Sequence, residues 1–282
     1  MKSLLIISAN GNSDRTMLTC LLARHLLRVT HRRLLILDLA GPPRCAQMLA
    51  STQHDAIESR NRVRDLSGRA WHAAGGRVCV LNADAVEGLL SSNDPGRTRY
   101  YANLRHLLSR AAPRFDVCLI DAPALPDLRA VCAEALVDAV LSPIPVSPEC
   151  IDCAFELING TYGIRNVRAR LNPALHFLGL LPIVDAPVSM GEAWAKVMET
   201  TLREWLIADS AFSCGYAWLP RLTAVGHIGQ RLVPRARAAA HDVPVAAASQ
   251  TVGACLDVLT RRLDKVGNDA VLTLRHAQVC DA

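Results

Sequence analysis

The sequence predicts a doubly wound α/β fold: a mostly parallel sheet with helices on both faces. Short, wholly apolar runs recur along the chain, separated by segments whose apolar residues have helical spacing. Two runs, Leu34–Leu37 and Val117–Ile120, are closed by an aspartate, as expected for buried parallel strands whose carboxyl ends face a site. The alternation continues along the chain without an internal repeat or a linker rich in Gly, Pro or Ser. Such alternation is typical of a parallel sheet with crossover helices.

The first elements form a βαβ unit. An apolar run at Leu4–Ile7 is followed by a polar loop and then by helical spacing from Thr16 to Leu27. The next run, Leu34–Leu37, ends at Asp38. We therefore expect a strand, a crossover helix and a parallel strand.

The later elements continue the same pattern. Further strands are predicted at Arg77–Leu81, Phe115–Pro123, Val140–Val146 and Phe177–Pro182, with a weak one at Tyr216–Leu219. Helices are predicted at 99–112, 153–169, 190–207 and 250–266, while 42–74 is polar and Arg-rich with helical pieces. We expect a single domain over residues 1–282, with 267–282 as a loose tail.

Composition excludes several classes of protein. The chain is 51% hydrophobic and 20% charged, which is ordinary for globular proteins and unlike disordered ones. Its apolar runs are far shorter than the roughly 20 residues that cross a bilayer, and the N-terminal run is too short for a signal peptide. We therefore expect a cytoplasmic protein, whose ten cysteines are reduced and mostly buried. The single C-x-x-C, Cys150 to Cys153, has no second pair or His cluster, so no metal or redox role is expected.

Five stretches occur in the order of a known set of motifs. The motifs, in order, are K-G-G-x-G-K-[ST], L-I-D-x-D, the Walker B pattern, P-[VT]-x-P-E, and R-x-N-P-x-L followed by L-G-[IV]-L. These stretches are Asn10–Thr16, Leu35–Ala40, Phe115–Pro123, Ile144–Glu149, and Arg170–Leu175 with Phe177–Pro182. Over nearly its whole length the chain resembles the ParA/MinD family of deviant Walker-A ATPases, in its ParA-like branch. The resemblance implies a P-loop NTPase-like fold and ATPase activity.

The phosphate-binding loop departs from the family pattern. The signature lysine corresponds to Asn10 and the P-loop lysine to Arg15. Neither can be restored by realignment, because the only lysines are Lys2, Lys196 and Lys265. Of the three family glycines only Gly11 is kept, with Asn12 and Asp14 at the other two positions. Since Asn and Asp tolerate positive φ best among non-glycine residues, the turn itself can persist.

These substitutions weaken the case for phosphate binding. A P-loop uses backbone N–H groups, close glycine backbone and a compact ammonium, which the guanidinium of Arg15 replaces poorly. Asp14 would bring a carboxylate near the phosphates, and two unit charges about 4 Å apart repel by roughly 4 kcal/mol at an effective dielectric of 20. A repulsion of that size would weaken the binding of the nucleotide by close to a thousandfold. Alternatively, Asp14 or Ser13 simply caps the helix that follows.

The resemblance also implies a set of site residues for ATP and Mg²⁺. It assigns the nucleotide to Asn10, Gly11, Asn12, Ser13, Asp14, Arg15 and Thr16. It assigns Mg²⁺ to Thr16 and Asp121, and catalysis to Asp38 with Arg15. Asp38 matches the carboxylate that orients water, while its partner aspartate is replaced by Ala40. Structural roles for the strand-end aspartates remain an alternative.

The formal net charge of +5 is carried almost wholly by arginine. ParA-like proteins bind DNA non-specifically through basic residues in their C-terminal half, a binding that salt weakens. The corresponding residues are Arg221, Arg231, Arg235, Arg237, Arg261 and Arg262. A solvated helix surface is the alternative. The segment from Asp269 has no long apolar face, so no membrane-targeting helix is expected.

Three functions remain open from the sequence. The first is a ParA-like protein of plasmid or mobile-element partition, nucleoid-associated and impaired in ATP turnover. The second is an active ParA-type ATPase. The third is a non-catalytic scaffold that pairs with a ParA-like, secretion or cellulose-synthesis partner. The resemblance further implies a homodimer and a ParB-like or other protein partner.

Overall fold

The computed structural model describes residues 1–9, 14–50, 57–60, 77–87, 96–147, 150–184, 196–221 and 243–267. Eight strands in these ranges form one sheet, and every neighbouring pair is parallel. The strands are β1 Lys2–Ile6, β2 Leu34–Asp38, β3 Ile57–Arg60, β4 Val78–Asn82, β5 Val117–Asp121, β6 Ala139–Pro145, β7 His176–Val184 and β8 Leu219–Pro220. Their order across the sheet is β3-β4-β2-β5-β1-β6-β7-β8.

Helices connect the strands. They are α1 Arg15–Val29, α2 Cys45–Ala50, α3 Ala83–Glu87, α4 Gly96–Ala111, α5 Leu128–Glu134, α6 Cys150–Asn159, α7 Ile164–Arg170 and α8 Val243–Lys265. A π-helical turn, Met198–Leu202, and a 3-10 turn, Arg203–Trp205, lie between β7 and β8.

The core is divided by the sheet into two clusters, because successive strand residues point to opposite faces. Leu5, Leu35 and Ile120 pack on one face against helices α4 to α7. Leu4 and Ile36 pack on the other face against α1, α2 and α8. Since both faces are covered, β2 and β5 are apolar up to the aspartate that ends each, and the predicted fold class is confirmed.

The chain reverses direction across the sheet at β1. From β1 it crosses to β2, and β5 later inserts between the two, while β6 to β8 extend the sheet on the other side of β1. In open parallel sheets, ligands bind at the carboxyl ends of the strands beside such a switch point. The ends of β1, β2 and β5 are therefore where a site is expected.

Most predicted elements are present, with four differences. Strand β3 lies in the stretch for which the sequence predicted only helical pieces, and the short helices α3 and α5 were not predicted. The stretch predicted as helical at 153–169 holds two helices, α6 and α7, with a turn between them. A Cβ at Gly163 would lie 2.8 Å from the backbone nitrogen of Gly160, so a residue larger than glycine would not fit at this turn. The helix predicted at 190–207 is a π turn and a 3-10 turn where it is described.

Within the described part of the chain, none of the helices has the length and apolar character needed to cross a membrane.

Candidate functional site

Two carboxylates lie side by side at the carboxyl ends of neighbouring strands. Asp38 ends β2 and Asp121 ends β5, and the two residues are directly paired in the parallel register. Asp38 is 1% exposed and Asp121 is fully buried. The sequence predicted both positions from an apolar run closed by a carboxylate, and the sheet brings the two together.

The start of α1 faces these carboxylates. Thr16, in the first turn, donates a hydrogen bond from Oγ1 to Oδ2 of Asp121 at 2.5 Å. The hydroxyl and the strand-end carboxylate assigned to Mg²⁺ by resemblance are therefore adjacent. Asn10–Ser13, predicted to contact the nucleotide, lie outside the described residues.

Arg15 points back into the protein. The residue is 9% exposed, and its guanidinium donates from Nη1 to the hydroxyl of Ser8, just beyond β1. Burial lowers the pKa of Arg15, and the nearby charge of Asp121 partly opposes that shift. The residue in the P-loop lysine position is thus engaged with the end of β1.

Asp14 occupies the N-cap position of α1, since its carbonyl accepts a hydrogen bond from the amide of Leu18 at 2.9 Å. Of the two side chains predicted to cap the helix, that of Asp14 makes no capping hydrogen bond, and that of Ser13 lies outside the described residues. Oδ2 of Asp14 instead lies 3.8 Å from Nε of Arg221, which follows β8. An arginine that follows a distant strand, Arg221, thus lies beside the Asp14 carboxylate.

Asp38 is held by backbone amides. Its Oδ2 accepts hydrogen bonds from the N–H groups of Arg44 and Cys45, both at 2.7 Å. Burial raises the pKa of Asp38, and these hydrogen bonds oppose the shift. Burial likewise raises the pKa of Asp121 to about 6, with the Thr16 hydrogen bond opposing it. Asp121 is therefore mostly ionised at neutral pH.

Cys45 is a site residue that the sequence analysis missed. Its Sγ lies 3.8 Å from Oδ2 of Asp121, and one ligand atom each of Asp38, Cys45 and Asp121 fall within 4.8 Å of one another. All three side chains are buried. The available signal was position alone: Cys45 follows Asp38 by seven residues and begins a helical piece.

The donor set fits a magnesium ion. Mg²⁺ prefers oxygen ligands from one or two carboxylates and substrate phosphates, and Thr16 and Asp121 supply a hydroxyl and a carboxylate. Oδ1 of Asp38 and Oδ1 of Asp121 are buried and accept no hydrogen bond from any described residue. Unsatisfied buried carboxylate oxygens are costly unless something compensates them. A bound cation would do so.

The arginines predicted to bind DNA do not share one edge of the sheet. Arg221 lies beside the site, whereas Arg262 donates to the carbonyl of Leu178 near the start of β7, at the opposite edge. Arg261 pairs with Asp209 at 3.1 Å and is 60% exposed. Arg231, Arg235 and Arg237 lie outside the described residues.

Strand order, switch point and strand-end carboxylates together define the class: a doubly wound α/β protein with a candidate ligand site at the carboxyl ends of β1, β2 and β5. Comparison with known proteins identifies the fold more specifically, through solved structures alone. No protein-family profile matches the sequence, and no curated protein matches it.

Solved structures do match over nearly the whole chain. One is a complex of McdA from Cyanothece with ATP, 16% identical with a TM-score of 0.60, covering 92% of this chain and 96% of that one. Another is cobyrinic acid a,c-diamide synthase from Mycobacterium smegmatis with a bound ATP analogue and magnesium, 19% identical with a TM-score of 0.60, covering 93% and 94%. A third is the cell division ATPase MinD from Pyrococcus furiosus, 16% identical with a TM-score of 0.54, covering 92% and 98%. The chain has the ParA/MinD-type P-loop ATPase fold.

Proposed function

We propose that the chain is a ParA-like protein that acts in DNA partition or in the maintenance of a plasmid or mobile element, with impaired hydrolysis of ATP. The fold supports the ParA-like assignment. The site retains Thr16, Asp38 and Asp121, the residues that would hold Mg²⁺ and orient water. The site departs from the family pattern at the groups that would bind phosphate.

One observation carries the impaired hydrolysis: the guanidinium of Arg15 is buried and donates to Ser8. A P-loop lysine has to reach the β- and γ-phosphates as a compact charge. Part of the Arg15 guanidinium is already engaged with the end of β1, and its planar fork fits an ammonium site poorly.

Asp14 adds a second obstacle, moderated by Arg221. A carboxylate at the start of α1 repels a phosphate that would bind at the same helix N-terminus. The ion pair with Arg221 reduces this repulsion, because it places a cation 3.8 Å from the carboxylate. We therefore propose that MgATP binds weakly, with Mg²⁺ held by Thr16 and Asp121.

An active ATPase is the second candidate. The 2.5 Å hydrogen bond between Thr16 and Asp121 supports it, since the two groups that would hold the metal are already adjacent. The solved structures of this fold also include complexes with an ATP analogue or ADP and magnesium. On either candidate we propose a cytoplasmic, nucleoid-associated homodimer that works with a ParB-like or other protein partner.

The test compares binding of a fluorescent ATP analogue with Mg²⁺ by the unmodified protein and by a variant carrying Asp14→Gly and Arg15→Lys. We expect the variant to bind at least tenfold more tightly, because it regains a glycine and the ammonium. The single change Asp14→Asn is expected to give part of the gain. Asp116→Asn is the matched control, since Asp116 is ion-paired with Arg33 at the opposite edge of the sheet, 2.9 Å apart.

Tight binding and ATP turnover by the unmodified protein, without a gain in the double variant, would instead establish the active ATPase.

A further inference from the structure

We propose that Asp38, Cys45 and Asp121 form a binding site for a sulfur-preferring divalent metal ion of the zinc and cobalt class, and that this site fills in the absence of nucleotide. It differs from the Mg²⁺ site in its sulfur ligand and in needing no phosphate. The proposal therefore does not depend on the proposed function.

The distances between donor atoms suit such an ion. Zinc binds sulfur at about 2.3 Å and oxygen at about 2.0–2.2 Å, so two tetrahedral ligands lie roughly 3.4–3.6 Å apart. Sγ of Cys45 lies 3.8 Å from Oδ2 of Asp121, and the three ligand atoms lie within 4.8 Å of one another. Shifts of a few tenths of an ångström to about one ångström would bring them onto one ion.

The carboxylates have unused ligand capacity inside the protein. In each, Oδ2 accepts hydrogen bonds: Asp38 from the backbone N–H groups of Arg44 and Cys45, and Asp121 from the hydroxyl of Thr16 and the thiol of Cys45. Oδ1 of each is buried and accepts no hydrogen bond from any described residue. These amide and hydroxyl contacts fix the orientation of the carboxylates, as outer-shell partners do at metal sites.

The charges also favour a divalent ion. The Arg15 guanidinium, near Asp121, carries one positive charge against the two carboxyl groups. A metal ion binds cysteine as the thiolate, so it would displace the proton of Cys45 to solvent. The surroundings of the thiol oppose that loss, because Cys20 and burial raise the pKa of Cys45. With both carboxylates and the thiolate as ligands, the ligands and Arg15 would sum to minus two, which a divalent cation neutralises.

The thiolate decides which metal fits. Mg²⁺ is hard, takes oxygen ligands and dehydrates reluctantly. Soft thiolate ligands favour zinc over magnesium, and three protein ligands leave a fourth position for water. A site of two carboxylates and a cysteine is therefore expected to bind Zn²⁺ or Co²⁺ well below the concentration at which Mg²⁺ competes.

The experiment uses the full chain, freed of metal with a chelator and kept reduced, without nucleotide. Titration with Co²⁺ is expected to give one equivalent of bound metal and a thiolate-to-cobalt charge-transfer absorption, which reports a sulfur ligand directly. Zn²⁺ is expected to displace the cobalt and bleach the absorption, and millimolar Mg²⁺ is not.

Two cysteine variants locate the site. Cys45→Ser is expected to lose the charge-transfer band and to bind Zn²⁺ at least tenfold more weakly. Cys153→Ser is the matched control, because it disables the single C-x-x-C, and it is expected to bind as the unmodified protein does. Asp38→Asn is expected to weaken binding while keeping the sulfur signal.

Three outcomes would overturn the proposal: no stoichiometric metal, bound cobalt without the charge-transfer band, or loss of the band in Cys153→Ser rather than in Cys45→Ser. The cobalt spectrum of the unmodified protein decides the question even if Cys45→Ser does not fold. The two sites share Asp121, but the metal titrations are made without nucleotide, so this proposal and the proposed function can fail separately.

Discussion

Glu134, at the end of α5, is a buried acid without a partner. It is fully buried, and neither carboxyl oxygen has a hydrogen-bond partner among the described residues. Burial raises the pKa of Glu134 to about 8, from an ordinary value of 4.5. The folded protein therefore keeps this group protonated at neutral pH, where the unfolded chain ionises it.

We expect the contribution of Glu134 to the stability of the protein to fall as the pH rises from about 4.5 to about 8. In that window the folded state binds more protons than the unfolded state, so the free energy of unfolding decreases with pH, by at most about 1.4 kcal/mol per unit for this group. Asp121 acts in the same direction up to about pH 6. Glu134→Gln removes the Glu134 contribution. The free energy of unfolding of the variant should therefore rise relative to that of the unmodified protein as the pH increases from 5 to 8.

Urea denaturation at several pH values measures this difference. Glu156→Gln serves as the control, because Glu156 is an exposed acid on α6, and it should leave the pH dependence unchanged. Parallel pH curves for the unmodified protein and Glu134→Gln would contradict the prediction.

At the scale of elements, β7 depends on a glycine. Gly179 has φ +131°, and a Cβ there would lie 2.7 Å from Cγ1 of Ile207 and 2.9 Å from the carbonyl oxygen of Trp205. The register between β6 and β7 shifts at the same level, between Val140 and Leu141. The chain after the 3-10 turn thus packs directly on the backbone of β7.

Gly179→Ala is expected to destabilise the protein by about 2–4 kcal/mol, because it adds both backbone strain and a steric clash. Gly253→Ala is the matched control: Gly253 lies inside α8, with nothing within 4 Å of an added Cβ. That change is expected to stabilise by roughly 0.5–1 kcal/mol through helix propensity. A urea midpoint for Gly179→Ala that equals or exceeds that of the unmodified protein would contradict the prediction.

Elements with strong local patterns were predictable, and those set by tertiary contacts were not. The strands that end at Asp38 and Asp121 show as apolar runs because both their faces are covered. Strand β3, Ile57–Arg60, has one apolar residue in four and forms only through its pairing with β4.

The site shows the same division. Its carboxylates follow from strand ends, but the pairing of Asp14 with Arg221 joins residues that are far apart in the sequence. The place of Cys45 depends on how α2 packs at the end of the sheet. Such contacts leave no periodic signal in the sequence.

At the scale of the whole molecule, the partition role predicts DNA binding that depends on salt. We expect a duplex of arbitrary sequence to be retarded at low ionic strength and released as salt rises, with a slope of about −0.9 per phosphate contacted. Arg261→Ala should weaken binding, because Arg261 is 60% exposed in the predicted basic region. Arg105→Ala is the control, an exposed arginine on α4 outside that region.

An electrophoretic retardation series in increasing salt measures both variants. Failure of the unmodified protein to retard DNA at low salt would count against partition, and an equal loss in Arg105→Ala would mean that overall charge alone attracts the DNA.

The parallel sheet also has a consequence for how the chain folds. Strand β1 pairs with β5 and β6, whose residues begin at Val117 and Ala139. During synthesis β1 therefore leaves the ribosome long before either partner strand has been made. Its apolar residues stay unpaired until strands more than a hundred residues later in the sequence have followed. Closing such large loops slows folding and prolongs exposure to aggregation. The position of β1 between β5 and β6 therefore makes completion of the central sheet a late step in folding.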